Sequence, residues 1–142
     1  MFIDPLSLWK FLPVGYLLSI SLEIPILLIG LSKRHSLRRR VLAGLWLTAC
    51  TYPIVILVLP LLIESHYGRT AYVITAESFA PLAECLLFWM AFDAEREPAP
   101  PTTVRALSFS DTFRDMAAVV AANLCSWLLG GWLIGQPGIS VE

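Results

Sequence analysis

The chain has 142 residues, of which 57% are hydrophobic and only 15% are charged, and its formal net charge is −1. Its mean hydropathy of +0.72 lies well above that of soluble domains, in which so much apolar surface could not all be covered. The composition therefore excludes an ordinary soluble domain and indicates a membrane protein.

Four apolar stretches are long enough to cross a hydrocarbon core, which takes about 20 helical residues. They cover residues 11–31, 41–63, 71–92 and 116–135. The segment before the first stretch carries an acidic residue and a single Lys, and no small-x-small cleavage site follows it, so it is not expected to be a cleaved signal peptide. The predicted fold class is all-α: one membrane domain, residues 1–142, in which four Pro-kinked transmembrane helices form a bundle.

Basic residues are distributed unevenly among the connections, which predicts the orientation. Two positions, Lys10 and Arg69, lie in the N-terminal segment and the second connection, whereas the first and third connections hold eight: Lys33, Arg34, Arg38, Arg39, Arg40, Arg96, Arg105 and Arg114. The positive-inside rule then places the first and third connections in the cytoplasm and both termini outside. We expect a multi-pass protein of the bacterial inner membrane. Aromatic residues near both boundaries fit the interfacial belts of such proteins: Trp9, Tyr67, Tyr72 and Trp132 outside, and Trp46 and Trp89 inside.

The first connection is a short basic hairpin. Three of its side chains are expected to meet anionic lipid head groups: Arg38, Arg39 and Arg40. Nucleic-acid binding is not expected of so short a hairpin held against a membrane. His35 and His66 lie in polar loops, and solvated positions are expected for both.

The third connection, residues 93–115, is predicted to lie in the cytoplasm. It opens with "DAEREPAPP", where the prolines prevent a helix from continuing. Ser108 or Ser110 is expected to cap the fourth helix, with Asp111 in its first turn.

Three glutamates lie within the predicted spans, where each ionisable group costs about 2.5 to 3.5 kcal/mol. Glu77 and Glu84 fall on one face of the third helix, roughly 10 Å apart along its axis. Glu23 and Glu84 enter their helices from the same side and to a similar depth, so they are expected to meet. Because the spans contain no Lys or Arg, a proton, a bound cation or a partner's positive group must neutralise these carboxylates.

Further oxygen and amide groups are predicted at the same level. Proline removes the hydrogen bond to the carbonyl four residues earlier, and three prolines are expected to kink the helices and free such carbonyls: Pro25, Pro53 and Pro81. Together with four other side chains, the glutamates form a predicted proton or cation site: Glu23, Glu77, Glu84, Thr51, Tyr52, Asn123 and Ser126. The pattern identifies no cofactor and no particular metal ion. In the alternative interpretation, the amide and hydroxyl groups only join helices, as polar residues often do in membranes.

Small residues recur every fourth position along the predicted fourth helix: Ala118, Ala122, Ser126 and Gly130. Such a ridge permits close approach of helices. The approach can occur within the bundle or between copies of the chain, and both alternatives remain open.

Short motifs in the four predicted helices resemble those of a known set of proteins. The chain contains "SLEIP", "TYP", "AESFAPLAE" and "NLCSWLLG" in this order. It is similar in these motifs to small bacterial four-span membrane proteins that carry Glu-x-Pro, Thr-[His/Tyr]-Pro, Glu-x6-Glu and Asn-x-x-Ser. The resemblance implies a four-span fold and no particular activity. It selects Glu23, Pro25, Thr51, Pro53, Glu77, Glu84, Asn123 and Ser126, and this chain has Tyr52 where many members have His.

These residues are compatible with three functions. The favoured one is the transport or conduction of a proton or a small cation, for which four short helices are expected to need an oligomer. The second is a non-catalytic accessory subunit of a larger membrane complex, whose polar face meets a partner. An intramembrane enzyme that uses a carboxylate pair is least favoured, because no nucleophile and base are paired in the sequence.

Overall fold

A computed structural model describes residues 5–93 and 104–134, and all regular structure in this part of the chain is helical. The four α-helices are α1 (Pro5–Gly30), α2 (Leu37–Pro53), α3 (Ser65–Phe88) and α4 (Val104–Ile134). Three π-helical segments adjoin α2 and α3: Ile54–Val58, Pro60–Glu64 and Trp89–Asp93. Residues 37–93 therefore form one continuous helical stretch.

This stretch folds back on itself at Gly68. The backbone there has φ 85° and ψ 173°, a conformation that glycine adopts readily because it lacks a Cβ. The Thr51 hydroxyl lies 2.6 Å from Oε1 of Glu84, although a straight helix would separate these two residues by roughly 50 Å. As a result, α2 and α3 lie side by side and antiparallel.

The described chain thus has three continuous helical stretches rather than the four separate helices predicted. The expected second loop is a bend within helical structure, because π-helical turns continue the hydrogen bonding almost to Gly68. The fourth helix begins at Val104, well before its predicted start at 116, because the sequence from 102 to 129 contains neither proline nor glycine. Ser108 and Ser110 therefore lie inside α4 and do not cap it, and the residues of "DAEREPAPP" after Asp93 lie outside the described part.

Two of the described helical stretches have the length and the apolar character needed to cross a membrane: Leu8–Gly30 and Leu37–Phe92, with mean hydropathies of 1.9 and 2.1. Only 17% and 22% of their most apolar windows are buried within the protein, whereas a core helix of a soluble protein is mostly buried. Large apolar side chains such as Ile29 and Leu82 point outwards. The helices therefore agree with the membrane assignment made from composition.

The helices pack around an apolar core that lies towards one end of the bundle. Its buried members are Leu27, Leu31, Ala43, Leu47, Phe88, Ala118, Val119 and Ala122. A Cβ added to Gly30 would lie 2.7 Å from the Cβ of Ala118, so α1 and α4 approach closely at this point. The ridge of small residues on α4 is buried: Ala118 and Ala122 pack in the apolar core, whereas Ser126 and Gly130 line a cavity within the bundle.

Candidate functional site

A cavity of about 370 Å³ lies among the four α-helices. Its walls come from residues 11–23 of α1, the end of α2 with the following π segment, α3, and residues 123–130 in the second half of α4. The lining includes every side chain of the predicted proton or cation site: Glu23, Glu77, Glu84, Thr51, Tyr52, Asn123 and Ser126. The fold thus brings this whole set into one place.

Two buried glutamates form the floor of the cavity. Glu23 is 5% exposed and Glu84 is 3% exposed. The hydroxyl of Thr48 lies 2.6 Å from Oε2 of Glu23, and the hydroxyl of Thr51 lies 2.6 Å from Oε1 of Glu84. Because the two threonines are only three residues apart on α2, about 4.5 Å along its axis, the two carboxyl groups lie within one helical turn of each other, one reaching from α1 and the other from α3.

Each of these threonine hydroxyls has two oxygen partners but only one hydrogen to donate. The Thr48 hydroxyl also lies 2.8 Å from the Gly44 carbonyl oxygen, and that of Thr51 lies 3.1 Å from the Leu47 carbonyl oxygen. When the hydroxyl donates to the helix carbonyl, the short contact with the glutamate requires a hydrogen on the carboxyl group. When it donates to the glutamate, the carboxylate can be ionised. Rotation of one hydroxyl therefore accommodates either protonation state without moving a helix.

Polar groups of α4 complete the floor. The Asn123 amide donates to Oε2 of Glu84 at 2.7 Å and to the Val119 carbonyl at 3.1 Å. The Ser126 side chain interacts with the carboxyl group of Glu23. Each buried glutamate thus meets one residue of α2 and one of α4, and these contacts also join the helices, which is the role considered as the alternative for Asn123 and Ser126.

Glu77 lies above the floor and is half-buried. Within residues 5–93 and 104–134, no hydrogen bond or ion pair reaches its carboxyl group or the hydroxyl of Tyr52. The Tyr52 hydroxyl lies only 1.7 Å from the position that a Cβ on Gly15 would take, so glycine makes room for the ring. Two unpartnered polar groups of the described chain therefore line the cavity.

Arg69 and Tyr72 mark the opposite end, roughly 20 Å from Glu84 along α3. The Arg69 side chain is 70% exposed and donates to Glu64 at 3.2 Å. Its guanidinium lies 5.0 Å from the ring centroid of Tyr72. Because Arg69 is exposed, the cavity opens at this end. Neither residue belonged to the predicted site, and Tyr72, expected in a lipid-facing belt, is buried instead.

The apolar core closes the cavity at the other end. One turn beyond the floor, Leu27 of α1, Phe88 of α3 and Val119 of α4 are fully buried. The cavity is therefore open at one end and sealed at the other in this structure.

A second polar cluster, the Asp115 cluster, lies beyond the apolar core and comprises Ser32, Arg34, His35, Thr112 and Asp115. The fully buried Asp115 carboxylate accepts hydrogen bonds from the backbone and the hydroxyl of Ser32, from Arg34, and from His35 at 3.1 Å. Burial alone would raise the pKa of Asp115, but the hydrogen bonds from His35, Ser32 and Arg34 outweigh burial and lower it to about 2.

The expectation that His35 is solvated is wrong. It is 5% exposed and packs edge-on against Phe88, with ring centroids 5.4 Å apart. Its position depends on Asp115, which is distant in sequence. The residues of the loop around His35 therefore do not indicate this contact. His66 is exposed, as expected.

Two arginines donate hydrogen bonds to carbonyl groups at the end of α1 and in the connection that follows it. The Arg40 guanidinium donates to the carbonyls of Leu28, Ser32 and His35, and Arg114 donates to those of Ile29 and Gly30. Donors of this kind are needed at the helix end because the last carbonyl oxygens of a helix have no N–H partner within the helix. Arg38 and Arg39 are exposed, so contact with lipid head groups stays a prediction for them, whereas the donors of Arg40 are engaged within the protein.

The three predicted prolines, Pro25, Pro53 and Pro81, lie inside helices. Pro53 directly precedes a π-helical segment, a geometry that often accompanies a local break in helical hydrogen bonding. In the described residues, no three His, Cys, Asp or Glu side chains come close enough together to hold a metal ion.

Comparison of the chain with protein-family models, curated proteins and solved structures found no match. The function is therefore argued from the cavity itself.

Proposed function

We propose that the chain is a membrane protein that handles protons or small cations through its acidic cavity, as a transporter or a conduction unit. The observation that carries this proposal is the floor of the cavity. There, Glu23 and Glu84 each face a threonine hydroxyl that can serve a protonated or an ionised carboxyl group. An arrangement that tolerates both states at one geometry suits groups that take up and release protons.

The position of the glutamates favours this function over an accessory subunit. A subunit that uses the carboxylates to dock on a partner is expected to present them on a lipid-facing surface. Glu23, Glu77 and Glu84 instead line a cavity inside the chain's own bundle. They also lie at two levels between the exposed mouth and the buried floor of the cavity. This arrangement suits the stepwise movement of a proton or cation better than a single docking contact.

In the proposed arrangement, the two limbs of the stretch 37–93 and the helices α1 and α4 each cross the membrane once. Both termini are outside and the basic connections are in the cytoplasm of a bacterial cell, in agreement with the positive-inside rule. The Arg69 end of the cavity then faces outwards. Complete passage requires the apolar core to open, or an oligomer to provide a path. We also propose that the chain belongs to the small bacterial four-span membrane proteins whose motifs it shares.

Flux through reconstituted protein tests this function. Liposomes that contain the protein are given a pH gradient, and the collapse of the gradient is followed with an internal pH-sensitive dye, with sodium or potassium as the counter-ion. Glu84→Gln is the informative variant, since the amide can still bond to Thr51 and Asn123 but cannot exchange a proton. We expect its flux to fall to that of empty liposomes.

Asp111→Asn is the matched control, because Asp111 is an acid of α4 that does not line the cavity. Infrared spectra of both variants show whether a protonated carboxyl band belongs to Glu84. If Glu84→Gln is folded and carries normal flux, the proposal is wrong.

A further inference from the structure

We propose that the outer part of the cavity binds a small organic ammonium ion, with Glu77 as its counter-charge and aromatic rings as its walls. This inference rests on the proposed function, because it names the class of cation that the same cavity takes.

The size of the cavity is the first argument. Its volume of about 370 Å³ falls in the range of sites for small organic molecules, roughly 300 to 1,000 Å³. A water molecule occupies only about 30 Å³ of liquid volume. A proton or a bare inorganic ion would therefore leave most of the cavity to water, whereas an alkylammonium ion would displace it.

The aromatic lining is the second argument. Each of the four helices contributes one ring to the cavity: Phe11, Tyr52, Tyr72 and Trp127. Aromatic faces attract organic cations, and rings on several sides of a cavity are the typical means of binding alkylammonium groups. The guanidinium of Arg69, 5.0 Å from the Tyr72 centroid, shows that this ring already accepts a cation on one face.

The charge balance is the third argument. Arg69, at the mouth of the cavity, is paired with Glu64, which does not line the cavity, so it does not neutralise Glu77. The Glu77 carboxyl group has no hydrogen-bond or ion-pair partner in the described residues. The three glutamates of the cavity are also not grouped as ligands of a single metal ion. An ammonium group beside Glu77 would supply the missing positive charge, and Glu23 and Glu84 on the floor would remain free to exchange protons.

Binding of tetramethylammonium to the purified protein in a mild detergent tests the inference. Calorimetric titration and the rise in melting temperature are compared with those for sodium, potassium and the uncharged tert-butyl alcohol. We expect tetramethylammonium to bind, Glu77→Gln to weaken its binding about tenfold or more, and Trp127→Leu to weaken it by about three- to tenfold. Trp127 is suitable for replacement because it is partly exposed. Tyr67→Leu is the control, since Tyr67 is exposed and does not line the cavity.

The outcomes separate this inference from the proposed function. Binding of sodium or potassium alone, or equal binding of the uncharged alcohol, overturns the proposal that the cavity binds an organic ammonium ion. So does tetramethylammonium binding that Glu77→Gln leaves unchanged. Suppose that no cation binds, but the infrared carboxyl band still belongs to Glu84 and the proton flux still depends on Glu84. The proposed binding of an organic ammonium ion is then refuted, whereas the proposed function stands. If the band and the flux are absent as well, both fail.

Discussion

The substitution Asp115→Asn removes the one negative charge of the Asp115 cluster. The carboxylate is fully buried and accepts hydrogen bonds from Ser32, Arg34 and His35. Its pKa lies at about 2 rather than 3.8, and at roughly 1.4 kcal/mol per pKa unit this shift corresponds to about 2 kcal/mol. Removing one partner of a buried pair typically costs about 3 to 5 kcal/mol. Because Asn keeps one acceptor oxygen, we expect the free energy of unfolding to fall by about 2 to 4 kcal/mol.

The same substitution should change the acid dependence of stability. The pKa of Asp115 is lower in the folded protein than in the unfolded chain, so the stabilisation is fully present above about pH 4 and is lost as the pH falls towards about 2. The wild type should therefore lose stability across this window, and Asp115→Asn should lose less.

The assay is reversible unfolding in mixed detergent micelles, followed by circular dichroism near neutral pH, together with melting temperatures at acid pH. Asp111→Asn, one turn earlier on α4, is the control because Asp111 makes none of the contacts described for Asp115. The reasoning is refuted if Asp115→Asn matches the wild type in both stability and acid dependence. A loss of stability with unchanged acid dependence would refute the electrostatic part alone.

Two further predictions concern the upper part of the cavity. Arg69→Ala removes a positive charge at the mouth, so tetramethylammonium should bind about two- to threefold more tightly; weaker binding in the calorimeter would show that Arg69 helps to hold the ligand. Gly15→Ala places a Cβ 1.7 Å from the Tyr52 hydroxyl, and overpacking of this kind typically costs about 1 to 3 kcal/mol. The ring must therefore move, and both the melting temperature and ligand binding should decrease, whereas Gly130→Ala, with open space around it, should leave the melting temperature close to that of the wild type.

Much of the acidic site was predictable, because burying a charged group among apolar residues is costly and such residues are therefore conspicuous in the sequence. Glu23, Glu77 and Glu84 stand out in any apolar run, and the helical rise places Glu23 and Glu84 at one depth. Thr51, Tyr52, Asn123 and Ser126 were predicted as hydroxyl and amide groups at the same level, and they line the cavity with the glutamates. Arg69 and the inward position of Tyr72 were missed, because an Arg and a Tyr near a predicted boundary fit an interfacial position equally well.

The sequence by itself determined the helical class, the membrane setting and the residues of the acidic site. These follow from local properties: apolar length, helical periodicity, and the cost of a buried charge. Only the tertiary structure decided which partners the polar groups outside the acidic site have. It joined Asp115 to His35 and turned Arg40 towards the end of α1. It also buried Tyr72 and folded the stretch 37–93 at Gly68 instead of ending it in a loop. Each of these features depends on a partner from another helix or on the backbone conformation of one residue. The local pattern of apolar and polar residues does not predict either of them.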